Sequence, residues 1–169
     1  MKVSEINIHN NIIPEYESWK EVMYAGKSKE ERRKMGQFFT PPELTVGMIE
    51  RFNTLDGDCL DSTCGAGNLL IGMVFAKFQY YNENCRLNSW NKTFQDCIDE
   101  IYGVELDSDI LKVCHDRLQH LCDFIKIKYQ FEVKFNPTHF QLGDALNDPL
   151  DCDEFWQKNP FEMYKKPSN

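Results

Sequence analysis

Leu60-Asp61-Ser62-Thr63-Cys64-Gly65-Ala66-Gly67-Asn68-Leu69-Leu70 is the stretch that decides how this chain folds. Cys59-Leu60 reads as a short strand that closes on the carboxylate of Asp61, and Asn68 to Tyr80 carries the dense apolar pattern of a buried helix. Between them stands Gly65-Ala66-Gly67. A strand that passes into a helix through Gly-x-Gly is a ligand position in doubly wound sheets, because glycine lets the backbone approach a ligand beyond the strand's carboxyl end. A dinucleotide fingerprint needs a third glycine or alanine at position 70; Leu70 occupies it and argues against a nicotinamide-dependent oxidoreductase.

Downstream, Glu100 to Leu106 predicts a second strand with Glu105 near its end, where a carboxylate can accept from two ribose hydroxyls. Asp107 or Ser108 caps a further helix whose Ile110, Leu111, Val113, Cys114, Leu118, Leu121 and Phe124 form a wide apolar face. The stretch from Ile125 to Phe135 alternates apolar and polar residues and predicts a one-faced strand. Asn136-Pro137-Thr138 then turns the chain into a last strand, His139 to Leu142. Asp144 follows Gly143 at that strand's end, placed to accept from an adenine amino group. Residues 81–99 are polar and read as a loop or short helix. If the strands are parallel neighbours, Asp61, Glu105 and Asp144 share one crevice, and its ligand is polar and rich in hydrogen-bond donors.

Upstream, residues 1–13 are weakly patterned and predict an arm. Pro14 suits a first helical turn, with Glu15 and Glu17 beside it and an apolar stripe of Tyr16, Trp19, Val22 and Met23 running to about Ala25. Lys27, Lys29, Arg32, Arg33 and Lys34 form the one basic cluster, a candidate phosphate contact. Pro41-Pro42-Glu43 starts another helix with Leu44, Met48, Ile49 and Phe52 at helical spacing, before Asp56-Gly57 breaks it.

At 169 residues the chain fits one core of about 150 residues, divided here into an arm and helix over 1–35 and a ligand-binding domain over 36–169. The 27 acidic against 19 basic residues give a net charge of −8, so nucleic acid can be met only through a local patch. The longest apolar run, Leu69 to Ala76, closes at Lys77, far short of the roughly 20 residues of a membrane helix, and Met1 to Asn10 lacks a secretory apolar centre. Seven cysteines without a CxxC pair or zinc-ligand spacing read as free thiols in a reducing cytoplasm, with no metal site.

Taken in order, Gly36-Gln37-Phe38-Phe39-Thr40-Pro41-Pro42-Glu43, Asp61-Ser62-Thr63-Cys64-Gly65-Ala66-Gly67, Tyr102-Gly103-Val104-Glu105-Leu106-Asp107 and Gly143-Asp144-Ala145-Leu146 resemble the motif series of S-adenosylmethionine-dependent adenine-N6 DNA methyltransferases. The resemblance covers about 36 to 146. It implies a partial Rossmann-like α/β sheet of about three to five strands, with helices on both faces and an N-terminal helical segment. By the same resemblance Phe39, Thr40 and Pro41 line the methionine end of S-adenosylmethionine. Asp61, Gly65 and Gly67 receive its amino-acid portion, Glu105 its ribose, and Asp144 with Ala145 its adenine. Ser62 replaces the proline usual after the first motif's Asp.

The family's catalytic motif places an Asp, Asn or Ser before Pro-Pro and an aromatic residue. The polar side chain and a backbone carbonyl accept the adenine amine's hydrogens, and the ring stacks on the flipped base. Asn159-Pro160-Phe161 stands where this motif is expected, one proline short, behind the polar run Asp153-Glu154-Phe155-Trp156-Gln157-Lys158. Asn159 would hold the amine and Phe161 the base. Only eight residues follow Phe161, where the family's sheet continues. The strand of Asp61 is therefore expected to form a sheet edge, covered by a second subunit, by self-association or by a rearranged C-terminal segment. The expected function is the cofactor-binding domain of a minimal or split DNA adenine-N6 methyltransferase. The alternative is a catalytically inactive regulatory or decoy protein of a restriction-modification or phage system. A methyltransferase acting on protein glutamine or RNA uses a similar Asn-Pro site, but the Gly36 to Pro42 segment favours the DNA-directed group.

Overall fold

A computed structural model describes residues 6–34, 36–84 and 90–146. Along the chain come α1 (Ile8–Tyr24), α2 (Lys29–Lys34), α3 (Pro42–Ile49), β1 (Cys59–Asp61), α4 (Asn68–Glu83), α5 (Trp90–Asp99), β2 (Ile101–Glu105), α6 (Ser108–Tyr129) and β3 (Phe140–Leu142), the last preceded by a 3-10 turn at Pro137–His139. The strands form one parallel sheet in the order β1-β2-β3, with Asp61 opposite Gly103 and Glu105 opposite Leu142. All three therefore point their carboxyl ends the same way. β1 lies at an edge, and among the described residues no strand pairs with its outer side.

Alternation along β2 separates two apolar layers, since successive strand residues point to opposite faces. Ile101 joins the main core, where α4 supplies Leu70, Ile71, Val74, Phe75 and Phe78, α5 supplies Phe94, Cys97 and Ile98, and α6 supplies Leu118, Leu121 and Ile125. Tyr102 and Val104 face the other way and cluster with Leu60 and Ala145, while the His139 ring stacks on Tyr102 with centroids 4.4 Å apart. No apolar α-helical side chain of the described residues joins that second cluster. Among the described residues, the helical cover expected on both faces is thus seen on one.

The N-terminal reading changes in one respect. Asn7 caps a helix that begins at Ile8, its side chain accepting from the Asn10 N–H, so Pro14 lies inside α1 rather than in its first turn. Ile6, Ile8 and Ile12 reach the main core, which is why the segment expected to be an arm is helical from residue 8. A second difference lies at Ile125 to Phe135. α6 continues to Tyr129 and ends at Gln130, whose left-handed φ of 61° closes the helix. Ile125, on the inward face of α6, is fully buried, and that burial holds in helix the first part of a stretch whose alternation suited a strand.

Buried charge fixes the ends of α4. Near its C-terminal end the Lys77 ammonium, 1% exposed, donates to the Leu55 carbonyl at 3.0 Å, to the Gly57 carbonyl and to Glu100 Oε2 at 2.6 Å. The loop entering β1 is thereby tied to the core.

Candidate functional site

Beyond the carboxyl ends of the strands lies a cavity of about 580 Å³, bounded by Gly36 to Phe39, Ser62, Thr63, Gly65, the segment from Glu105 to Ser108, and Gly143 to Leu146. Its size falls within the roughly 300–1,000 Å³ of small-molecule sites. A smaller recess of about 140 Å³ adjoins it, shares Phe38, Phe39, Thr63 and Gly65, and adds Thr40 and Asp61. Seven of the sequence-derived cofactor residues therefore line the two: Phe39, Gly65, Glu105, Asp144 and Ala145 the larger, and Thr40 and Asp61 the recess.

The other two stand behind them. Pro41 caps α3, its carbonyl accepting from the Thr45 N–H at 2.9 Å and the Thr45 hydroxyl at 3.1 Å. Gly67 caps α4 at φ 82°, and a Cβ there would lie 2.8 Å from Cys114 Sγ on α6. Gly65 differs: at φ 54° its missing Cβ would meet only the Phe39 ring, 3.8 Å away, at the cavity wall. One glycine keeps the loop close to α6, the other keeps the wall open. Asn159, Pro160 and Phe161 lie outside the described residues.

Glu105 holds the centre. Oε2 accepts from the Gly65 N–H at 2.9 Å and Oε1 from the Asp107 N–H at 2.9 Å, so one carboxylate joins the glycine loop to the start of α6. Asp61 accepts from the Thr63 N–H at 3.1 Å, and burial pushes its carboxyl above the usual range, with the Glu105 charge adding to the shift. Asp107 runs opposite. It accepts from Lys27 Nζ at 2.5 Å and Gln37 Nε2 at 2.7 Å while capping α6, and the Lys27 contact chiefly holds its carboxyl below the ordinary value. The site is rich in acceptors and negative charge, and Phe38, Leu106 and Leu146 stand exposed at its rim. It suits a ligand with a positive charge, several hydroxyl or amino donors and a flat apolar part. Among the described residues no group of His, Cys, Asp and Glu is arranged to hold a metal ion.

The basic cluster divides. Lys27 is paired with Asp107, and Arg32 donates to the Lys27 carbonyl and lies over the Tyr24 ring, 4.7 Å from its centre. Lys29, Arg33 and Lys34 of α2 are exposed, next to the Gly36 to Phe39 wall of the cavity.

Two residues that sequence reasoning missed brace the loop, Asn68 at the recess it lines and Arg117 from behind. Asn68, 6% exposed, donates from Nδ2 to the Thr40 carbonyl at 2.7 Å. Arg117, 1% exposed, donates to the Ala66 carbonyl at 2.6 Å and to Asn68 Oδ1, and its Nε and Nη2 fork onto the two carboxylate oxygens of Glu15 at 3.1 and 2.6 Å. The available signal was a cation within the apolar face of α6, three residues after Cys114 and four before Leu121.

The family model for N-6 DNA methylase matches residues 19–138, which runs from α1 into the turn before β3. The chain belongs to the N-6 DNA methylase family. No curated protein and no solved structure matches it. The matched region of this N-6 DNA methylase chain contains both ends of the Glu105 bridge, the glycine loop and Arg117, while Glu15 lies four residues ahead of it.

Proposed function

We propose that this chain is the S-adenosylmethionine-binding domain of a DNA adenine-N6 methyltransferase, in a minimal or split form with a Rossmann-like sheet. The observation that carries the reading is the shared cavity at the strand tips, where Glu105, Asp144 and Ala145 face Phe39 and Gly65 across 580 Å³. Gly65 leaves room at the wall, and the acceptors at Asp61, Glu105 and Asp144 suit the ammonium, ribose and amino groups of that cofactor. The bound cofactor supplies an electrophilic sulfonium methyl group. The chain's own part is to seat it: Asp61 beside the amino-acid end with Phe39 and Thr40, Glu105 at the hydroxyls, Asp144 and Ala145 at the base.

DNA is met, in this reading, by the exposed Lys29, Arg33 and Lys34 beside the cavity mouth, while Lys27 and Arg32 shape the wall. The outer side of β1, with which no strand pairs among the described residues, supports a second subunit or a second copy as its cover. The described cysteines are all free, which suits the cytoplasm, and no helix among the described residues is long and apolar enough to cross a membrane. The shortened Asn159-Pro160-Phe161 favours one competing reading, an inactive regulatory or decoy protein that still binds the cofactor.

Radiolabelled methyl transfer into mixed-sequence DNA separates the two. Incorporation that Asn159→Ala abolishes supports the enzyme. Cofactor binding without incorporation, alone or with candidate partner chains, supports the decoy.

A further inference from the structure

We infer that the N-terminal helix is a working part of the ligand site, and that Arg117 is a positioning residue through which Glu15 sets the glycine loop. This rests on the cofactor reading above, and goes beyond it by naming two residues that line neither the cavity nor the recess, Glu15 and Arg117, as governing its affinity.

The argument begins with burial. A guanidinium only 1% exposed needs a counter-charge and acceptors for its donors, and Arg117 finds them on three separate elements. Nε and Nη2 are held by Glu15 of α1, itself 10% exposed, while Nη1 serves the Ala66 carbonyl inside the Gly-x-Gly turn and Asn68 Oδ1 at the start of α4. The fork geometry makes these bonds interdependent, because a planar guanidinium cannot turn toward one partner without leaving another. Asn68 extends the chain. With Oδ1 fixed by Arg117, its amide is oriented so that Nδ2 points at the Thr40 carbonyl, 2.7 Å away.

The path Glu15–Arg117–Asn68–Thr40 thus runs from α1, through α6 and α4, to the wall opposite the strand tips. Its two outputs, Ala66 and Thr40, both line the recess that holds Asp61. Gly65, next to Ala66, is also the residue that Glu105 grips from the cavity side. The loop is therefore held from both sides, by Glu105 in front and by Arg117 behind. A shift of α1 moves Glu15, frees the fork and loosens the turn that must sit against the ligand. A contact made on α1 can in this way alter affinity without touching the cavity.

Lys77 is the natural control. It is an equally buried cation, on the helix that Asn68 begins, paired with Glu100, but it braces the loop ahead of β1 and is bonded to neither Ala66 nor Thr40. The experiment compares Glu15→Gln, Arg117→Lys and Lys77→Met by thermal unfolding, hydrogen-exchange mass spectrometry over residues 62–71 and 38–41, and titration with S-adenosylhomocysteine. Glu15→Gln and Arg117→Lys are expected to speed exchange in both segments and weaken S-adenosylhomocysteine about tenfold. Lys77→Met is expected to lower the melting temperature with both readouts unchanged. Should the two variants fail to fold, Asn68→Ala removes the Arg117–Asn68 and Asn68–Thr40 bonds, leaves Arg117 on Glu15 and Ala66, and is expected to speed exchange at 38–41. Unchanged exchange in Glu15→Gln and Arg117→Lys, or an equal loss of protection and affinity in Lys77→Met, overturns the inference. A wild-type chain that ignores S-adenosylhomocysteine but shows the expected exchange pattern sinks the cofactor reading and still supports the coupling.

Discussion

Glu105 at the end of β2 and Gly65 in the glycine loop are joined across the sheet, carboxylate oxygen to backbone N–H, at 2.9 Å. The same side chain receives the Asp107 N–H on its other oxygen, so the strand tip links two segments that wall the cavity. Glu105→Gln retains the shape and replaces one acceptor oxygen with an amide that cannot accept. One of the two N–H groups then loses its partner, at a cost of about 1–3 kcal/mol. Urea denaturation is expected to show that loss, and calorimetry a weaker S-adenosylmethionine site.

The two loop glycines should respond differently to alanine. Gly67→Ala drives a Cβ to 2.8 Å from Cys114 Sγ at a φ of 82°, and is expected to cost about 1–3 kcal/mol of stability. Gly65→Ala meets nothing closer than 3.8 Å, so its penalty is the left-handed backbone alone, about 1–2 kcal/mol. Its methyl group narrows the cavity instead. Thermal melts and ligand titrations run side by side should therefore rank Gly67→Ala worse for folding and Gly65→Ala worse for affinity per degree of melting temperature lost.

On the proposed function, Asp61 is expected to trade stability for binding. Burial raises its carboxyl above the unfolded value, so its contribution to stability is fully present below the unfolded pKa and is lost as pH rises through the folded one. At neutral pH the charge is a liability to the empty protein. Asp61→Asn keeps an acceptor for the Thr63 N–H and removes that charge. A higher melting temperature at pH 7 together with a weaker cofactor site is the expected pair of results, measured by scanning and titration calorimetry.

Acid should act at two groups in sequence. Burial against Phe135 and Phe140 lowers the His115 imidazole, so its contribution is present above about pH 6.5 and fades as pH falls below it. Asp107, held low chiefly by Lys27, contributes above about pH 4 and loses that contribution as pH drops through its folded value. A melting-temperature profile is expected to bend near each point. His115→Phe should remove the upper bend and leave the lower.

What the sequence disclosed was set by whether its signals were local. The strand ending on Asp61, the Gly65 to Gly67 turn and the Asp107 cap depend on neighbours a few residues away, and each is where the pattern put it. The alternation from Ile125 to Phe135 misled, because the burial of Ile125 decides that stretch and burial is a tertiary property. Arg117 went unread for the same reason. Its partner Glu15 lies 102 residues away, and nothing in a linear chain pairs them. Gly67 and Pro41 matched a motif, yet their places are behind the cavity wall, which spacing alone does not distinguish from lining it.

The most direct trial of the account is isothermal titration of the purified chain with S-adenosylhomocysteine, wild type beside Glu105→Ala. One saturable site with a dissociation constant on the order of micromolar, lost or strongly weakened in the variant, is the predicted result. A flat thermogram for the correctly folded wild type, or binding that Glu105→Ala leaves untouched, would contradict the claim that these strand tips hold the cofactor.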